Sequence, residues 1–515
     1  MIEAIAISLA ASFTATTGIF LSAGALSAVT TVTGLGLAIG ANVALSYFER
    51  SQARTGQQSI ASINAPEVRG SVRQSIPTQR IIVGSVRTGG AIYFLRVNPP
   101  YLYIGYLYCA RRISAVNGLI VGENRIALSS SAFDTIVTPL SVSGMPSYST
   151  RMRACFQEGR LDQPTNPLLR AAFPDLDTDF RLPGIANAVF ECHYGADADE
   201  FISLWGNVQI PNIEAEIDGI PVYDPRNPSH FLPDDPTDID QYEAAEASWS
   251  FSRLAALNQA DFFWQPYGFN AGHDKIDWTA IAETAARDDE MVGLKSGEFE
   301  KRYTSDGVYL LSDKLPTVAE ALLSANRGFM QIKNGLIGVS SSAPRDPVIT
   351  ITDDMLIGAV EFRSFKAKRD VPTEIQTRFV APDRAYQESD GPIWVSADIG
   401  GTDDSRRAVT LRLPFTTGSA RTQRLAKAYF ETAILEKSLS CVVDLRALGV
   451  EEGDCVRVYS EIYPIWNGLY TVEQWELTAQ MNSISLQMIS YDPDIENNWN
   501  PSVDEKDFTI SDVGV

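Results

Sequence analysis

Apolar and polar positions along the chain alternate with a period of two near both ends and with helical spacing in the middle. Runs rich in β-branched and aromatic residues stand at Arg80-Ile-Ile-Val83, Ala91-Ile-Tyr-Phe-Leu-Arg-Val97 and Tyr101-Leu-Tyr-Ile-Gly-Tyr-Leu-Tyr108, bounded by Gly84, Gly89-Gly90 and Pro99-Pro100. Such side chains suit a pleated, half-buried surface, so these runs predict successive antiparallel strands, with Gly84 and Gly89-Gly90 as bends at positive φ. Asn117-Gly118, between Arg112-Ile-Ser-Ala-Val116 and Leu119-Ile-Val121, predicts a two-residue hairpin turn, because both residue types tolerate positive φ. Ala186 to Tyr194 predicts a further strand. Asn212 to Gly219 alternates so that Ile213, Ala215 and Ile217 share one face.

In the middle the period changes. Asp277 to Met291 carries Trp278, Ile281, Ala282 and Ala285 at helical spacing. Pro316 suits a helix start, Val318, Ala321, Leu322 and Ala325 form one stripe, and Gly328 is placed to close it. Asn334-Gly335 then predicts a hairpin between Phe329-Met-Gln-Ile-Lys333 and Leu336-Ile-Gly-Val339. From Val348 strands resume around one amphipathic helix, Thr422 to Lys437, with Leu425, Tyr429, Thr432 and Leu435 on a face. The closing runs, Ser440 to Leu445, Cys455 to Tyr459, Leu469 to Leu477 and Ser483 to Ser490, predict a small barrel. The class is α+β, mainly β, in several domains: 51–225 an N-terminal β-domain, 226–345 an α+β middle, 346–491 a C-terminal β-barrel. Residues 492–515, with seven acids and one Lys, are read as an acidic tail or docking strap.

One segment breaks every period. No charge occurs from Ala4 to Phe48, a run of Ala, Gly, Ser, Thr, Leu, Ile and Val longer than the roughly 20 residues that span a bilayer. Three readings stay open. A signal peptide lacks its basic region, since Glu3 is the only charge before the run. A transmembrane hairpin would break at Gly34-Leu-Gly36. Helices buried against other protein would use the small residues, including Gly18, Gly24 and Ala28, for close contact.

Composition narrows function more than fold. With 42 Lys plus Arg against 64 Asp plus Glu, the formal charge is −22, which opposes a surface gripping phosphate but not a conduit through which nucleic acid slides. The five cysteines (Cys109, Cys155, Cys192, Cys441, Cys455) form no CxxC pair and read as buried thiols. The three histidines (His193, His230, His273) are not at metal-ligand spacing, and no nucleophile elbow or His-Glu-x-x-His helix occurs. Carboxylates cluster at Asp197/Asp199/Glu200, Asp234/Asp235/Asp238/Asp240, Asp288/Asp289/Glu290 and Asp403/Asp404, but sequence neighbours diverge in space and do not make a glycosidase pair. The Asp234–Asp240 run lacks the Gly and terminal Glu of an EF-hand loop. Neither a catalytic function nor a cofactor is expected.

The order of several short motifs carries a resemblance. Val72 to Phe94, which includes Arg80, Gly84, Gly89 and Gly90, resembles the opening segment of phage tail hub proteins, the tip attachment protein J and host-specificity group of long-tailed phages. Leu182 to Phe190, Val222-Tyr-Asp-Pro-Arg226 (Tyr223, Asp224, Pro225), Phe299 to Gly307 (Arg302, Tyr303, Gly307), Ile349 to Leu356, Leu413-Pro-Phe-Thr-Thr417 (Pro414, Phe415) and Gln423 to Lys427 follow in that family's order. The resemblance implies a virion protein at the distal tip of the tail: a homotrimeric baseplate hub that closes the tail tube. Its implied partners are the distal tail protein, the tail tube, the tape-measure protein, tip or tail-fibre receptor-binding proteins, viral DNA in transit and the host membrane during ejection. The C-terminal fibronectin-like and fibre domains of the larger family members have no counterpart here, so receptor binding falls to separate proteins. A membrane-active ejection protein working through residues 1–50 is the alternative. A cell-wall hydrolase on a tail scaffold is a third reading.

Overall fold

A computed structural model describes residues 78–508, apart from 123, 141–147, 177–178, 196–197, 206–209, 341–343, 368–370, 385, 396–406, 478–481 and 496. The apolar segment 4–48, with Gly18, Gly24, Ala28, Gly34 and Gly36, lies outside the described residues. Among the described residues no helix is long and apolar enough to cross a membrane.

The N-terminal part is built from two sheets. One has the order β3 (Ala91–Asn98), β4 (Tyr101–Cys109), β9 (Ala186–His193), β8 (Met152–Gln157), β7 (Ile136–Val137). The other has the order β2 (Ser85–Gly89), β10 (Ile213–Asp218), β5 (Ala115–Val121), β6 (Asn124–Ile126). β3 and β4 pair antiparallel across Pro99-Pro100 as expected. β1 (Arg80–Val83) instead leaves both sheets and pairs with β15 (Gly307–Leu310) from the middle of the chain. Ile213, Ala215 and Ile217 are buried on one face of β10.

Asn117-Gly118 is not a turn. β5 runs through both residues against β10, and the register shift between Glu216 and Ile217 leaves Asn117 as an extra, exposed residue in a bulge. The reversal comes later, at Gly122 with φ +61°. Gly89 is likewise no positive-φ bend; it lies within β2.

The middle carries helices α1 (Ala255–Trp264), α2 (Trp278–Asp288) and α3 (Leu315–Ser324). α2 is capped by Asp277, whose carboxylate accepts from the Thr279 and Ala280 N–H groups. Pro316 sits in the first turn of α3 as expected. The reversal after it is made by Arg327 at φ +52°, not by Gly328. Asn334 and Gly335, at φ +52° and +80°, turn β16 (Phe329–Lys333) into β17 (Leu336–Ser340). Two short pairs complete this part: β11 (Pro221–Val222) with β12 (Ser250–Phe251), and β13 (Met291–Gly293) with β14 (Phe299–Lys301).

Beyond Val348 the chain builds two units. β18 (Ile349–Thr352), β25 (Cys455–Tyr459), β26 (Gly468–Leu477), β27 (Ile484–Ser490), β24 (Ser438–Val443) and β19 (Glu361–Arg363) form one sheet in that order. The expected small barrel does not close: β18 and β19 remain separate edges, β18 pairs β25 in parallel, and the result is a half-barrel. Between its strands, β20 (Glu374–Ala381) pairs with β21 (Gln387–Asp390), β22 (Trp394–Val395) and β23 (Ala408–Leu413), and is covered by α4 (Ser419–Ala433).

The half-barrel has its own core, including Ile351, Val443, Val456, Val472 and Leu486. Ile375, Phe379, Leu413, Phe415, Leu425 and Phe430 belong instead to the large core shared with β1, β4, β10, α1 and α3. The five cysteines are free and buried, and burial pushes the thiols of Cys109, Cys155 and Cys441 up to about 11, 12 and 12.

Candidate functional site

β1 and β2 run in different directions, so the chain must bend sharply between them. Gly84 does so at φ +62°, where a Cβ would lie 2.2 Å from the Ser305 carbonyl oxygen and 2.4 Å from Asp306 Oδ1. Asp306 is buried just ahead of β15. Its Oδ1 accepts from the Ser85 N–H (3.0 Å) and Arg253 Nε (2.6 Å). Its Oδ2 accepts from Arg253 Nη2 (2.7 Å) and Thr417 Oγ1 (2.6 Å). Its own N–H donates to the Phe415 carbonyl (2.8 Å). Three distant segments thus meet on one residue.

The pair with Arg253 is bidentate, the strongest carboxylate geometry, and the Arg253 side chain is 42% exposed while the Asp306 side chain is fully buried. Burial draws the guanidinium pKa down, and the bonds to Asp306 more than reverse this, leaving it above its ordinary value. A carboxylate that accepts this many bonds has no free lone pair for attack or proton abstraction, so its chemistry here is clasping.

A second cluster continues from the same segment. The sequence pattern predicts α4 as amphipathic, but nearly every residue on it is buried, including Arg421, Gln423, Arg424 and Lys427. This all-round burial is possible because the cations are partnered. Glu300 on β14 accepts from Arg421 Nη2 (3.1 Å) and Arg424 Nη1 (2.6 Å). The same two residues donate to the Lys301 and Arg302 carbonyls at 3.1 and 2.9 Å. Burial lowers the Arg421 pKa, and Glu300 offsets part of this. Asp288, at the end of α2, is fully buried, accepts from the Ala256 N–H at the start of α1 (2.8 Å) and from Asn326 Nδ2, and is pushed by burial up to about 7.

Several residues singled out in the sequence converge on this junction. Gly84 touches Asp306, Gly307 follows it and pairs with Val83, and Phe415 is buried against it. Arg302 and Tyr303 connect the two clusters, Tyr303 donating its N–H to the Asp288 carbonyl at 3.1 Å and Arg302 pairing with Glu290 at 3.0 Å. Arg80 closes the other side of the bend, donating from Nη1 to the Gly89 carbonyl at 2.8 Å. Gly90 lies against Tyr106, whose Cβ would sit 2.4 Å from an added Cβ. Tyr223, Asp224 and Pro225 stand apart in a turn held by Arg226. Tyr223 packs edge-on against Trp278, and Arg226 bridges Asp224 to Asp289.

Sequence reasoning missed the roles of Asp306, Glu300, Arg421 and Arg424, although all stand in or beside the motifs it singled out. Arg253 carries no local signal at all. Among the described residues no group of His, Cys, Asp and Glu is placed to hold a metal ion.

Comparison with known proteins gives three kinds of result. Residues 317–475 match the profile of the family Phage-tail_3, described as "Putative phage tail protein". No curated protein sequence matches the chain. Among solved structures, a chain of the virion of a native gene transfer agent particle superposes with TM-score 0.57 and 15% identity, covering 93% of this chain and 98% of that one, which shows a shared fold. The 43 kDa tail protein of prophage MuSo2 from Shewanella oneidensis aligns at 10% identity over 82% of this chain and 95% of that one. Prophage tail protein gp18 from Listeria monocytogenes aligns at 9% identity over 76% and 84%. Both have a TM-score of 0.28, too low to carry a fold argument.

Proposed function

We propose that this protein is a structural component of a phage-type tail, the trimeric hub at the distal tip that closes the tail tube and opens for the tape-measure protein and DNA. The observation that carries the reading is the likeness along almost the whole of both chains to a protein of a gene transfer agent virion, joined to the tail-family match over 317–475. The clasped junction is consistent with a load-transmitting body rather than a catalytic cleft. The net charge of −22 suits a passage from which phosphates are repelled. The distal tail protein, the tail tube and separate tip or fibre proteins are the partners of this reading. Residues 4–48 are the plug, covered by protein before infection because an uncharged run of that length aggregates in water.

Light scattering of the purified chain tests the assembly: a mass three times 56.4 kDa is expected. A monomer, or a dimer within assembled tails, would sink the hub reading. The absence of charge from Ala4 to Phe48 favours a second reading, membrane-active ejection. Insertion of the purified chain into liposomes without other tail components would favour that alternative over a plug.

A further inference from the structure

After β27 the chain leaves the half-barrel at Tyr491, whose N–H donates to the Leu469 carbonyl at 2.9 Å, and crosses to the other core. There residues 497–508 lie along α4. The Gln423 side-chain amide, buried on α4, reads the backbone of Lys506 twice: Oε1 accepts its N–H (2.8 Å) and Nε2 donates to its carbonyl (3.0 Å). Lys427 Nζ donates to the Asn498 carbonyl and pairs with Asp504 at 2.7 Å. Lys295 gives its N–H to Glu505 Oε2 and its ammonium to Asp507, both at 2.8 Å. Arg287 Nη2 reaches Asn497 Oδ1 at 2.8 Å. Phe508 ends the described chain edge-on against Phe379 at 5.4 Å, under the Arg384 guanidinium.

A buried amide that pairs with peptide backbone, two lysines paired with Asp504 and Asp507, a backbone N–H given to Glu505, and an aromatic seat are the elements of peptide recognition. The segment holds a single helical turn, Pro501–Asp504, capped by the Asn500 side chain, forms no strand pairing among the described residues, and leaves Val503 76% exposed. We propose that the face of α4 between Gln423 and Lys427, walled by Lys295, Trp394 and Phe379, is a peptide-docking site for an acidic segment that carries one helical turn followed by an aromatic residue. Its occupant is the chain's own C-terminal segment, which thereby latches the half-barrel to the main body. The inference goes beyond the tail-hub reading and does not depend on it.

A tethered ligand competes at millimolar effective concentration, so a free copy is seen only when the tether's own contacts are weakened. The test uses the full chain carrying Asp504→Asn and Phe508→Ala, and a fluorescein-labelled peptide of sequence 497–508 followed by anisotropy. Binding to this variant at least about tenfold tighter than to wild type is expected, reflecting release of the competing tether. Adding Gln423→Ala should abolish it. No binding to the variant, or equal binding with Gln423→Ala, overturns the proposal. A second measurement stands apart from that variant's folding. Because the native thiols are buried, Lys295→Cys with Asp507→Cys in one full-length chain should cross-link within the chain under a short bis-maleimide, and hydrogen exchange at 497–508 should then slow. Failure to cross-link in a chain with wild-type thermal unfolding would show that the segment does not sit on α4.

Discussion

At the scale of single residues, the junction is decided by space and by proton count. Gly84 has no alternative: a methyl group there would overlap the Ser305 carbonyl in a backbone conformation that L-residues resist. Gly84→Ala should therefore cost about 2–4 kcal/mol, read as a lower urea midpoint with an unchanged slope, and wild-type stability would refute the assignment. The sequence singles out Gly89 for the same reason, yet it lies in β2 and not at positive φ, because local composition does not tell which glycine of a strand border takes positive φ. Asp288 makes a sign-definite prediction. Burial raises its pKa to about 7, so the folded chain holds a proton that the unfolded chain releases near pH 4. Its favourable contribution is complete below the ordinary carboxyl range and is lost as pH climbs through about 7. Asp288→Asn keeps an acceptor for the Ala256 N–H, and the variant's Tm relative to wild type should rise between pH 5 and pH 8. A pH-independent difference would mean that Asp288 is ionised throughout.

At the scale of elements, period and turn chemistry made much of the fold legible. The strands at 80–83, 91–98, 101–109, 186–193 and 213–218, the α2 and α3 helices and the Asn334-Gly335 hairpin all follow from local pattern. What failed did so for tertiary reasons. Asn117-Gly118 has the composition of a turn, but its neighbours are held in ladder with β10 and the surplus residue is absorbed as a bulge. α4 has the charge pattern of a half-solvated helix, but β14 and the C-terminal segment bring partners to the very face that the pattern assigns to water. That account of α4 has a measurable consequence. Glu300 is the sole carboxylate shown paired with both Arg421 and Arg424 among the described residues. Glu300→Gln should destabilise by about 3–5 kcal/mol, because it leaves two guanidiniums in a low-dielectric site. Replacing Glu300 together with Arg421 and Arg424 by Met should recover much of that loss. If Glu300→Gln alone is neutral in chemical denaturation, the cluster is solvated and α4 is not the buried strut described.

At the scale of the whole molecule, the described body and the uncharged N-terminal segment make separable demands. Among the described residues, the two largest cores begin at Ile81, and the junction that clasps β1, the 299–307 segment and the 413–417 segment is closed by residues of the same body. If residues 1–48 serve as the plug of a tail tip, their contribution is to closure of an assembly, not to stability of the chain. Deleting 1–48 should leave the far-UV spectrum unchanged and shift Tm by less than about 2 °C, since no described core contact is lost. The same deletion placed in a tail-producing system should yield tails that leak or fail to close, scored by negative-stain microscopy and by infectivity or DNA transfer. A large fall in Tm would show that the segment packs into the body and is part of its core. Fully competent tails would show that it is dispensable, and the plug reading would be lost while the fold described for residues 78–508 stood unaffected.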